Sequence, residues 1–174
     1  MNIDIKPVKK KKYAFIRRMV LIGAIGLVLF FIQNIPGSFL TVNGVTPNMV
    51  LPLAVAFAFF FGETAGGFFG LFSGILLDLY ISPNFPVNAL LILVMGCACG
   101  LIARLLLTKN IASAIILCIV CLFVYYGVCW ICFRGGFSDA GIWYLKNRFL
   151  LSVIYSWIFI IPWYFLCKKL SKGL

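Results

Sequence analysis

The chain has 174 residues, of which 64% are hydrophobic and 11% are charged, and its net charge is +11. Soluble domains carry roughly 45–50% apolar and about 25% charged residues, so this composition excludes a water-soluble globular protein and indicates one membrane domain. The basic residues stand beside apolar segments, where such residues set topology and contact anionic lipid. We therefore expect anionic lipid as a partner and no nucleic-acid binding.

Six apolar segments approach the roughly 17–25 residues that cross a bilayer as a helix. They cover residues 19–35, 47–61, 64–81, 87–107, 111–133 and 149–167. The second segment is the weakest prediction, because it is short and only Gly62 and Glu63 separate it from the third. The two segments form either a tight hairpin or a broken pair that does not span fully. The second segment either lies inside the protein or starts within the outer interface.

The distribution of Lys and Arg predicts the orientation, because these residues concentrate in cytoplasmic loops. In a six-span arrangement, twelve of the 15 basic residues flank one face and three flank the other. The sequence thus predicts an all-α integral membrane protein with six transmembrane helices and both termini in the cytoplasm. Residues 1–18 form a basic tail, residues 19–167 the membrane domain and residues 168–174 a second basic tail. We expect the first tail to be anchored on lipid by Lys9, Lys10, Lys11 and Lys12.

Glycines recur at every fourth position of the third segment, and an aspartate continues the series. Residues four apart share one helix face with a small angular drift, so this face permits close approach of another helix. The fourth segment repeats the spacing, which suggests that segments three and four meet. The glycine face either packs inside the chain, against segment one or four, or binds a partner. The predicted helix-interface residues are Gly62, Gly66, Gly70, Gly74, Asp78, Gly96 and Gly100.

Two interpretations of Asp78 stay open. A carboxylate inside a membrane indicates function by default, whereas an aspartate at the interface would cap a helix or reach water. Arg104 is not its expected partner, because the fourth segment runs the other way and carries Arg104 to the inner face, where it would extend to the headgroups.

Residue types needed for catalysis are missing or badly placed. The chain has no His, which excludes Ser-His and Cys-His nucleophile pairs. Cys118-x-x-Cys121 and Cys129-x-x-Cys132 imitate a zinc pattern, but one straight helix cannot wrap four sulfurs around a single ion. We interpret these cysteines as small packing residues and expect no enzyme activity, no metal and no cofactor.

The middle of the chain resembles the family of the rod shape-determining protein MreD. The resemblance rests on Thr46-Pro47-Asn48, the apolar run to Phe61, the glycine series and Leu77-Asp78, and it covers residues 45–107. It implies a non-enzymatic, multi-pass scaffold in the bacterial cytoplasmic (inner) membrane. Such a scaffold would support cell shape and side-wall peptidoglycan synthesis by binding an MreC-like bitopic protein, and indirectly an MreB-like filament and the cell-wall synthases.

The MreD family is also similar in fold to the substrate-binding components of energy-coupling-factor vitamin transporters, which supplies an alternative. An assembly factor of another membrane complex is a third possibility. A vitamin-binding component would need a polar pocket near the outer face. The candidates for that pocket are Asn43, Asn48, Asp78, Asn84, Asn88 and Trp143. The first segment has no Ala-x-x-x-Ala run for docking a transport module, which disfavours this alternative.

Overall fold

A computed structural model describes residues 6–35, 46–81, 87–106, 108, 110–133 and 139–171 of the chain. Within these residues all regular structure is helical, so the predicted all-α class is confirmed. Three stretches, Val87–Leu105, Ile111–Cys132 and Gly141–Ser171, are long and apolar enough to cross a membrane. The helices are α1 Lys6–Gln33, α2 Val50–Phe61, α3 Glu63–Ile81, α4 Val87–Leu105, α5 Ile111–Phe133, α6 Asp139–Tyr144, a π-helical turn Leu145–Phe149, α7 Leu150–Trp157 and α8 Ile160–Ser171.

One end of the bundle gathers basic side chains, and we call it the basic end. The Arg18 guanidinium of α1 donates a hydrogen bond of 2.6 Å to the Leu170 carbonyl, which lies at the end of α8. Arg104, at the end of α4, pairs with Glu63 at the start of α3. The last turn of α2 packs against the Tyr164 ring of α8. The start of α1 and the end of α8 therefore lie at the same end of the molecule.

The opposite end joins the C-terminus of α1 to the start of α2 and the end of α3, and we call it the polar end. The Met49 backbone N–H donates to Gln33 Oε1 at 3.0 Å, and the Tyr80 hydroxyl donates to the Asn34 carbonyl at 3.0 Å. Helices α1, α2 and α3 consequently run in alternating directions.

Helix α2 is the centre of the bundle. Every residue from Val50 to Phe59 is buried, and α2 contacts α1, α3, α4, α5 and α8. Its 12 residues measure roughly 18 Å, well short of the roughly 30 Å hydrocarbon core. The second segment thus lies inside the protein, and it also forms a tight hairpin with the third, because only Gly62 separates α2 from α3.

The last helical region begins at Asp139, so the predicted start at Phe149 is wrong. The charges of Lys146 and Arg148 suggest a loop in the sequence, but both residues lie in the π-helical turn. There the Arg148 guanidinium lies 5.4 Å from the centroid of the Trp143 ring, which comes one π-turn earlier in the chain. This cation–π contact offsets part of the free-energy cost of placing a charged side chain among apolar ones. The α-helix is interrupted between α7 and α8, at residues 158–159, and Pro162 in the first turn of α8 cannot donate the usual backbone hydrogen bond to the Ile158 carbonyl.

Helix α1 includes most of the predicted basic tail, since it starts at Lys6. The side chains of Lys9, Lys10, Lys11 and Lys12 lie outside the described residues, as do residues 172–174 of the second tail. Lipid anchoring by these lysines stays a prediction.

Candidate functional site

Helices α3 and α4 pack backbone against backbone, and glycines make this possible. A Cβ added at Gly70 would lie 2.5 Å from the Ile92 carbonyl oxygen, and one at Gly74 would lie 2.7 Å from the Asn88 carbonyl oxygen. A Cβ at Gly66 would lie 2.5 Å from the Ala58 Cβ of α2. Real Cβ atoms essentially never approach so closely, so each site requires glycine.

The glycines of α4 complete the same interface from the other side. A Cβ at Gly96 would overlap the carbonyl group of Gly66, and one at Gly100 would lie 2.5 Å from the Glu63 Cα. The prediction that the third and fourth segments meet is therefore confirmed. Close backbone contact of this kind gains dispersion energy and weak hydrogen bonds along the whole hairpin.

Gly62 has a different role from the glycines that share its spacing. It lies just before α3 and ends α2, with its N–H bonded to the Ala58 carbonyl at 2.9 Å. Its φ is +90°, which L side chains rarely adopt, and an added Cβ would meet nothing within 4 Å. This position therefore requires glycine because of its backbone conformation and not because a side chain would lack space.

The glycine face of α3 is thus occupied within the chain, and the opposite face carries large apolar side chains. Phe68 is 74% exposed and Leu79 is 71% exposed, while Phe72 and Ile75 are each 44% exposed. We call these four residues the outer face of α3. A partner helix would reach α3 from this side.

Asp78 is buried at the end of α3 and caps the first turn of α4. Its carboxylate accepts hydrogen bonds from the backbone N–H groups of Asn88 at 3.1 Å and Ala89 at 2.7 Å. The Asn88 side-chain amide donates a third bond at 2.8 Å. A negative charge is favourable at a helix N-terminus, where N–H groups lack partners inside the helix. Asp78 is therefore a buried helix cap.

The bonds continue from Asn88 into α5. The Tyr125 hydroxyl donates to Asn88 Oδ1 at 2.9 Å, and the tyrosine ring lies beside that of Tyr126 with centroids 5.4 Å apart. All of these side chains are buried. One continuous hydrogen-bonded chain therefore ties the ends of α3, α4 and α5.

The N-terminus of α2 is built in a similar way. Asn48 Oδ1 accepts from the N–H groups of Val50 at 3.2 Å and Leu51 at 3.1 Å, so Asn48 caps this helix. Pro52 follows in the first turn, where a missing N–H costs nothing. The Pro-Asn motif is therefore a buried helix start.

Side chains from other helices satisfy the groups around this cap. The Asn48 N–H donates to Ser156 Oγ of α7 at 2.9 Å, and Ser156 and Tyr126 share a hydrogen bond of 3.0 Å. The Met49 N–H reaches Gln33 of α1. We call the side chains Gln33, Asn48, Asp78, Asn88, Tyr125, Tyr126 and Ser156 the polar cluster. It fixes helices from the whole bundle relative to one another.

The residues proposed for a vitamin pocket are distributed among different roles. Asn48, Asp78 and Asn88 bond to the protein itself within the polar cluster, whereas Trp143 is 56% exposed on α6. Asn43 and Asn84 lie outside the described residues.

No protein-family model, curated protein or solved structure matches the chain. The resemblance to MreD therefore depends on the residues of this sequence, and what it implies for function is a proposal.

Two of the four cysteines of α5 serve packing. Cys118 and Cys121 are buried, while Cys132 is exposed. The Cys121 sulfur lies 2.9 Å from that of Cys99 in α4, which brings these two helices together. Across the described residues, His, Cys, Asp and Glu nowhere form a group of three that could hold a metal ion.

The basic end contains a cavity of about 450 Å³ between α2, α3 and α4. Arg104 at its rim pairs with Glu63 at 2.8 Å, a partner that sequence reasoning missed. The register of the glycine interface could have revealed it, because Gly100 lies against Glu63 and Arg104 follows one turn later. The other cavity-lining residues are Phe59, Phe60, Phe61, Gly62, Thr64, Gly100 and Ala103.

Proposed function

We propose that this chain is a non-enzymatic membrane scaffold of the MreD type, acting in the bacterial cell-elongation complex. One observation supports this proposal more strongly than any other. The residues that carry the resemblance all serve architecture: Asn48 caps α2, the glycines join α3 to α4, and Asp78 caps α4. Polar side chains that bind one another hold a shape, which suits a scaffold better than a substrate site.

The proposed topology has six spans with both termini in the cytoplasm of a bacterial inner membrane. The basic end would face the cytoplasm, because it carries Arg17, Arg18, Arg104, Lys168 and Lys169. The polar end would then lie in the outer leaflet. The central helix α2 would cross only part of the bilayer, enclosed by its neighbours.

The proposed docking site for an MreC-like protein is the outer face of α3. Helix association in lipid has no hydrophobic driving force and depends on packing between preformed surfaces. The glycine interface supplies rigidity, since it leaves α3 little freedom to move against α4. Phe68 and Leu79 project from this rigid hairpin and could enter grooves on the partner's single spanning helix. The MreB-like filament and the cell-wall synthases would bind through that partner.

Site-specific photocrosslinking tests both the function and the docking face. A photoreactive amino acid is placed at Phe68 or Leu79 in the full chain, expressed in its native membrane, and adducts are identified by mass spectrometry. Ile116 on α5 is the matched control, because it is 63% exposed and lies on another helix. We expect adducts with a bitopic MreC-like protein from both α3 positions and none from Ile116.

Other outcomes discriminate between the functions. Adducts with a coupling ATPase or its membrane module would replace the scaffold with a transporter component. Adducts with the MreC-like protein from Ile116 alone would keep the function but refute the docking face. Correctly inserted protein that yields no elongation protein from any position would refute the proposal.

A further inference from the structure

The cavity at the basic end has the size of a small-ligand site. Its volume of about 450 Å³ falls within the range of about 300–1,000 Å³ that ligand pockets occupy. Phe59, Phe60 and Phe61, at the end of α2, form an apolar wall. Because α2, α3 and α4 all end or begin here, the cavity lies where hydrocarbon gives way to headgroups.

The rim of this cavity carries both signs of charge. The Arg104 guanidinium is 70% exposed and the Glu63 side chain is 32% exposed, with Nη1 and Oε1 2.8 Å apart. A guanidinium has five N–H donors and a carboxylate accepts at two oxygens, so one shared bond leaves capacity on both groups. The rim can therefore bind a cation and an anion at neighbouring positions.

The arrangement discriminates among phospholipid headgroups. An anionic headgroup such as phosphoglycerol would gain from Arg104 but would be repelled by Glu63. A choline headgroup has no N–H with which to donate to a carboxylate. A phosphoethanolamine headgroup offers a phosphate for the guanidinium and an ammonium for the carboxylate, each as a charge-assisted hydrogen bond.

We propose that this cavity binds the headgroup of a phosphatidylethanolamine molecule. The phosphate contacts Arg104, the ammonium contacts Glu63, and the glycerol and upper acyl chains lie along Phe60 and Phe61. The start of α3 adds a favourable dipole for the phosphate. Lipid binding at this site requires only that the protein is in a membrane. It can therefore be confirmed or refuted separately from the scaffold function.

Native mass spectrometry of the full chain, purified in detergent and stripped of lipid, tests the site. Phosphatidylethanolamine, phosphatidylglycerol and phosphatidylcholine with identical acyl chains are offered at equal concentrations. We expect one phosphatidylethanolamine to be retained roughly fivefold more than either other lipid, a preference of the size that one charge-assisted contact provides.

Two variants and a control locate the site. Glu63→Gln should abolish the preference over phosphatidylglycerol, and Arg104→Gln should weaken binding of both lipids. Lys169→Gln removes one charge at the same end, away from the cavity, and should bind as the original chain does. Exposed ion pairs contribute little to stability, so both cavity variants are expected to fold.

Several results would overturn the proposal. These are retention of none of the lipids, a preference for phosphatidylglycerol in the unmodified chain, or a preference that survives both cavity substitutions. Full displacement of the lipid by equimolar, water-soluble phosphoethanolamine would also overturn it, because the site would then serve a soluble zwitterion.

Discussion

Replacement of Gly70 by alanine tests the middle of the close α3–α4 contact. The new Cβ would lie 2.5 Å from the Ile92 carbonyl oxygen and 3.0 Å from the Ile92 carbonyl carbon. Both atoms belong to the α4 backbone, so no side chain can turn away to relieve the overlap. The two helices must instead separate by close to an ångström.

The cost can be worked out from the contacts. Overpacking a tight interface costs about 1–3 kcal/mol, and the higher helix propensity of alanine returns about 1 kcal/mol. Separation of the helices also stretches the bonds from Asp78 to the Asn88 and Ala89 N–H groups, now 3.1 and 2.7 Å long. Weakening of these charged bonds adds about 1 kcal/mol. We expect a net loss of about 2 kcal/mol.

Thermal unfolding in detergent measures this loss. For a chain of this length, about 2 kcal/mol lowers the melting temperature by about 4–8 °C. Gly127→Ala is the matched control, because a Cβ there meets nothing within 4 Å, and it should melt no lower than the unmodified protein. Equal melting temperatures for Gly70→Ala and Gly127→Ala would refute the close backbone contact.

The polar cluster yields three further predictions, each measured in the same melting assay. Asp78→Asn places an amide N–H against the Ala89 N–H and should cost about 2 kcal/mol; a stable variant would mean that the carboxylate does not cap α4. Tyr125→Phe removes the donor to Asn88 and should cost about 1 kcal/mol, whereas an unchanged melt would place the hydroxyl elsewhere. Asn48→Ala should cost about 1–2 kcal/mol, and Asn48→Asp, which keeps an acceptor, should cost less; the reverse order would contradict the cap.

The helices and the α3–α4 contact could be predicted from the sequence because both depend on local spacing. The length of an apolar segment indicates a membrane helix. Glycines four residues apart lie on one face of that helix, independently of how the rest of the chain folds. Spacing alone did not reveal that Gly62, whose backbone also lies against Gly100, turns the chain at φ +90°.

Apart from the α3–α4 pair, the neighbours of each helix could not be predicted, because in lipid the buried and exposed faces of a helix are equally apolar. The polar cluster shows this most clearly. Gln33, Asn88 and Ser156 come from distant parts of the chain, and nothing in their local sequence says that they meet helix ends. The last helix begins earlier than the sequence predicts, for another reason. The contact between Arg148 and Trp143 lets the charged residues lie within a helix, but this contact depends on a π-turn, which a hydropathy pattern does not detect.

The enclosure of α2 has a consequence for how the protein is made. Four of the helices that surround α2 follow it along the chain, so it leaves the ribosome before most of its surroundings exist. At roughly 18 Å it is too short to settle across a bilayer alone. The segment therefore gains its neighbours only after α3 and α4 emerge, and the speed with which those two helices pair sets how long it stays without them.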